Sequence, residues 1–90
     1  MPYFLTLKLL LFLNYMEIDN TQRINSIAKR IKELRINGGF TSYENFALDK
    51  DLDRKQYWRM EKGQNFRIES LFRLLNIHDI TLEEFFKGLK

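Results

Sequence analysis

Residues 42–63 read SYENFALDKDLDRKQYWRMEKG, and their grouping decides the fold. An apolar stripe at Tyr43, Phe46 and Ala47 is followed by a short acidic and basic break. A second helical run then begins at Asp53 and stops at Gly63. Thr41 stands three residues before Glu44, a capping-box spacing that predicts the start of the first of these two helices. Asp53, three residues before Gln56, is the corresponding amino-terminal signal for the second, and Gly63 supplies its stop. The stretch is therefore read as helix, tight turn, helix.

The second helix has two unlike faces. Taking Arg54 as zero at about 100° per residue, Trp58, Lys62, Lys55 and Arg59 fall at roughly 40°, 80°, 100° and 140°. Tyr57 and Met60 fall on the other side, with Gln56 and Glu61 at its edges. An ordinary solvated face mixes both signs of charge, whereas this one carries only cations. Over 54–67 five cations, Arg54, Lys55, Arg59, Lys62 and Arg67, stand against Glu61 alone. Spacing thus sends Tyr57 and Met60 to the core. It sends Trp58 outward among the cations, as an exposed indole able to pack on a sugar or a thymine methyl or to receive a cation.

Outward from this pair, Ile24, Ile27, Ala28, Ile31 and Leu34 recur at helical intervals. They predict a helix over 20–37 capped by Asn20 or Thr21 and ended by Gly38-Gly39. On the other side Ile68, Leu71, Phe72, Leu74 and Leu75 predict a fourth helix. Thr81 with Glu84 caps a fifth that carries Leu82, Phe85, Phe86 and Leu89. No segment alternates as a strand, so the expected fold is all-α, with five short helices.

The first fifteen residues, MPYFLTLKLLLFLNY, differ from the rest in being almost wholly apolar, with Lys8 as their one charge. They fall short of the roughly 20 apolar residues a membrane span needs, and they lack a basic start and a small-residue cleavage site. Met16, followed by polar residues, resembles an alternative start. Residues 1–15 are accordingly read as an upstream extension, with an added packing or dimerising segment and a membrane or export signal as the other readings. Residues 16–90 form the domain.

Composition narrows the function. The chain has 90 residues, 44% hydrophobic and 30% charged, with a net charge of +3 and no cysteine. Disulfides and thiolate metal sites are excluded, an intracellular, cytoplasmic home is expected, and anionic partners are mildly favoured. Asp49, Asp51 and Asp53 have the spacing that opens an EF-hand loop. Arg54 and Met60 occupy the positions where that loop needs glycine and glutamate, so no metal is expected. With one histidine and no phosphate-binding glycine loop, neither an enzyme nor a cofactor nor a small-molecule substrate is expected.

From Ile24 to Phe86 the chain resembles the helix-turn-helix domain of phage repressor and Cro-like regulators, the XRE family. The resemblance rests on IAKRIKELR, SYENFALDKDL, DRKQYWRMEKG and IESLFRLLNIHDITLEEFF. It departs from the family at Asp51, where a turn glycine is usual, at Lys50 and Tyr57, which are usually smaller or apolar residues, and in one extra residue within FTSYE. Aspartate tolerates the left-handed conformation such a turn requires.

The resemblance implies a five-helix lambda-repressor-like fold, with the helix-turn-helix at about 42–63 and a homodimer on double-stranded DNA. The helix at 53–62 would read the major groove of half-sites about one helical turn apart. Arg54, Lys55, Gln56 and Arg59 are then the candidate base contacts. Ser42, Tyr43, Trp58, Lys62 and Arg67 are the candidate backbone contacts. Arg35 and Glu61 match a pair that forms an internal ion pair in that family, and His78 aligns with a core-facing structural position. Other readings on the same fold are the antitoxin of a toxin–antitoxin pair and a module that binds proteins only.

Overall fold

The computed structural model describes the backbone of residues 2–89 and the side chains of residues 6–13 and 20–89. Five helices follow one another: α1 (Pro2–Asn37), α2 (Tyr43–Asp49), α3 (Arg54–Glu61), α4 (Ile68–His78) and α5 (Leu82–Phe86). Among the described residues there is no strand.

α1 does not start at Asn20. It runs unbroken from Pro2, so neither Asn20 nor Thr21 is a helix cap. Proline fits a first helical turn, and beyond it no proline or glycine interrupts the run before Gly38. The change from apolar to polar composition near residue 16 alters what the helix can touch without altering its backbone preference. Gly38 and Gly39 end it, the latter at φ +93°.

The α2 cap lies one residue later than the spacing predicts. Ser42, not Thr41, caps it, its hydroxyl accepting from the amides of Glu44 at 3.1 Å and Asn45 at 3.3 Å. Asp53 caps α3 by accepting from the Gln56 amide at 2.8 Å. Between them Asp51 adopts φ +55°, and its carbonyl accepts from the Arg73 guanidinium of α4 at 3.0 Å. Thr81 and Glu84 form a reciprocal capping box on α5.

The core is built from Ile31, Phe46, Ala47, Tyr57, Met60, Leu71, Leu74, Leu75 and Phe85. α3 packs against both α1 and α2, and α4 against α5. Phe46 lies at the centre, in ring contact with Phe40, Tyr57 and His78. The expected apolar stripes are only partly buried. Ile68, Phe72, Leu82 and Phe86 remain exposed, because helices this short pack only one narrow side against the core. Arg30 joins α1 to the chain's other end, donating to the carbonyls of Phe85 at 2.7 Å and Lys87 at 3.2 Å.

Candidate nucleic-acid interface

α3 is held from behind. Tyr57 and Met60 are buried, and Glu61, the acid at the edge of that face, accepts from Arg35 Nε at 2.7 Å and Nη2 at 3.0 Å. Arg35 also donates to the Phe40 carbonyl at 2.9 Å, which ties the loop before α2 into the same junction. Hydrogen bonding to Glu61 raises the Arg35 pKa further, against the opposing effect of burial, so this buried guanidinium stays charged. Arg35 and Glu61 are thus structural, each neutralising the other inside the fold.

Tyr57 shows what this packing costs. Its hydroxyl is buried with no hydrogen-bond partner among the described residues. Burial, with Glu61 nearby, pushes the phenol far above its ordinary value. The ring, in contact with Phe46 at 4.9 Å between centroids, is the useful part of the residue.

The front of α3 is solvent-facing and basic. Arg54, Lys55, Gln56, Arg59 and Lys62 are exposed, as is Arg67 at the start of α4. Arg54 leans toward α2, its Nη1 lying 3.6 Å from a Glu44 carboxylate oxygen. That exposed pair contributes little to stability and leaves most of the guanidinium in solvent. Lys55 and Arg54 share a shallow groove with Tyr43, Asp53 and Trp58, between the start of α2 and the start of α3. Arg59 and Gln56 share a second notch with Asn65, Phe66 and Arg67, beyond the other flank of the helix.

Trp58 corrects the expectation of an exposed indole. It is half-buried, lining the groove beside Tyr43, with Lys62 Nζ 6.0 Å from its ring centroid. Helical spacing separates it from the buried Tyr57 and Met60 but does not leave it fully in solvent, since Tyr43 at the start of α2 lines the same groove. Ser42 and Tyr43 are likewise half-buried, and the Ser42 hydroxyl is committed to capping α2.

Three contributors escaped the sequence reading. Glu44 is the acidic neighbour of Arg54, and Arg73 clamps the turn at Asp51. Asn25 of α1 approaches Gly63 so closely that a Cβ there would lie 2.6 Å from its Oδ1. All three are contacts between separate elements, for which the sequence carried no periodic signal. His78 is half-buried and stacks on Phe46 at 5.3 Å with a 5° interplanar angle. Its Nε2 has no partner, and burial, then the charge of Lys50, lowers its pKa.

Among the described residues no group of three or more histidine, cysteine or acidic side chains is placed to hold a metal ion. No described helix is long and apolar enough to cross a membrane. No family model, curated protein or solved structure matches the chain.

Proposed function

We propose that the chain binds double-stranded DNA sequence-specifically as a transcriptional regulator, with α2 and α3 as a helix-turn-helix in a lambda-repressor-like domain. The observation that carries this reading is the sorting of charge on α3. Its one acid is turned inward and neutralised by Arg35, while Arg54, Lys55, Arg59 and Lys62 face solvent. A helix that removes its negative charge from its outer face suits a polyanion.

In this reading Lys55 and Arg59, with Arg54 and Gln56 beside them, meet base edges in the major groove, as a homodimer on two half-sites. Lys62, beside Trp58, and Arg67, in the second notch, meet phosphates. Trp58 and Tyr43 form an aromatic wall of the first groove, where a sugar can pack. The Ser42 hydroxyl is occupied by its cap, so Ser42 contributes position instead of a side-chain contact.

A second reading keeps the fold and replaces the DNA by a protein, as in an antitoxin or an interaction module. The exposed apolar residues of α1 favour it. Selection of bound duplexes from random DNA separates the two. Enrichment of a common two-fold motif supports the first, and no enrichment at low salt rejects it.

A further inference from the structure

The sorting of charge on the outer face of α3 breaks down at its amino end. The groove between the starts of α2 and α3 is lined by Tyr43, Arg54, Lys55 and Trp58, and also by a carboxylate, that of Asp53. Asp53 is exposed and stands directly before the first residue of α3. An edge that suits a polyanion thus carries an acid, which a phosphate would repel.

Capping occupies only part of this group. Oδ1 accepts from the Gln56 amide at 2.8 Å, whereas Oδ2 makes no hydrogen bond and no ion pair among the described residues. Arg54 leans toward Glu44 instead, and Arg73 is committed to the Asp51 carbonyl. Serine or asparagine would cap the helix about as well. One carboxylate oxygen is left over at the groove, and an ionised carboxylate can only accept.

A base edge supplies what such an oxygen needs. In the major groove cytosine presents the donor at N4, while guanine presents acceptors at O6 and N7, and thymine an acceptor at O4 beside its methyl group. Adenine has a donor at N6, but its N7 acceptor lies next to it and opposes the carboxylate. Cytosine is the base that fits. Its paired guanine turns O6 and N7 to the same groove, where Lys55 or Arg54 of the same wall can donate. Opposite charges side by side on the protein match the opposite halves of one C·G pair.

We propose that Asp53 is a specificity-determining residue, accepting from the N4 amino group of a cytosine in each half-site while its other oxygen keeps the cap. The inference rests on the reading of α3 as the helix in the major groove. It adds an acid that rejects wrong bases to the cations that gather DNA.

The test is selection of duplexes from random DNA by wild type, Asp53→Asn and Asp53→Ser, with helix content and the urea midpoint as checks on the cap that both variants retain. Wild type should enrich a cytosine at one fixed position of each half-site, and replacing it should weaken binding about tenfold or more. Asp53→Asn should move that position to adenine, whose N6 and N7 match an amide. Asp53→Ser should lose the cytosine preference, and positions read by Arg59 should stay as in wild type. Should Asp53→Asn unfold, Asp53→Ser decides by the same readout. No cytosine in the wild-type motif, or a cytosine preference that survives in the variants, would overturn the proposal. So would a gain of affinity equal on every sequence, which would make the carboxylate a repeller of phosphate and nothing more. Wild type that binds no duplex would end the DNA reading as well, whereas bound duplex with an unmoved motif ends this inference alone.

Discussion

Arg35 on α1 grips Glu61 on α3 through two hydrogen bonds, 2.7 and 3.0 Å long, with both side chains almost wholly buried. This junction fixes the rotation of α3, and with it the direction of every cation on the outer face. Removing one partner leaves a buried charge uncompensated. Glu61→Ala should therefore cost about 3–5 kcal/mol in urea unfolding. Replacing both residues by apolar ones of similar size should cost clearly less than the two single changes together.

The Tyr57 hydroxyl is buried without a partner, so its removal forfeits no hydrogen bond. Tyr57→Phe should leave stability unchanged or raise it by up to about 1 kcal/mol. A loss larger than that would show the hydroxyl to be bonded in solution.

His78 gives the fold a pH dependence of definite sign. Its pKa in the folded state lies below the ordinary 6.5, first through burial and then through Lys50. The unfolded chain therefore binds the proton more readily than the folded one. Stability from this group is complete above about pH 6.5 and declines as the pH falls from there toward the lower folded value. His78→Gln should flatten the stability profile below about pH 6.5, the ordinary imidazole value. An unchanged slope would remove His78 from the account.

Gly63 combines a left-handed backbone, φ +76°, with the close approach of Asn25. Gly63→Ala should destabilise by about 1 kcal/mol or more, since alanine pays at positive φ. Shortening Asn25 to alanine in the same chain should recover only the part due to the contact. Full recovery would mean that the backbone strain is negligible.

The parts of this structure that were legible in the sequence are those written within one helical turn. The caps at Asp53 and at Thr81 with Glu84 and the burial of Tyr57 and Met60 follow from short-range spacing, whereas the left-handed turn at Asp51 was expected only from the resemblance. Spacing assigns a face to a side chain but not a neighbour. For that reason the partial burial of Trp58, the stacking of His78 on Phe46 and the approach of Asn25 to Gly63 stayed hidden. The amino end of α1 shows a different limit, because a change in polarity resembles a boundary while the backbone sees only residues that favour a helix.

The central claim is that the basic face of α3 binds duplex DNA. The measurement that tests it most directly is duplex affinity as a function of salt, for wild type, Arg59→Ala and Lys62→Ala, on a selected and an unrelated sequence. Affinity should fall with salt at about 0.9 in logarithmic slope per phosphate contacted. Arg59→Ala should erase about 1–3 kcal/mol of discrimination between the two sequences. Lys62→Ala should weaken both equally and lower the slope by about one. Absence of duplex binding at low salt, or binding indifferent to salt and to both substitutions, would contradict the claim.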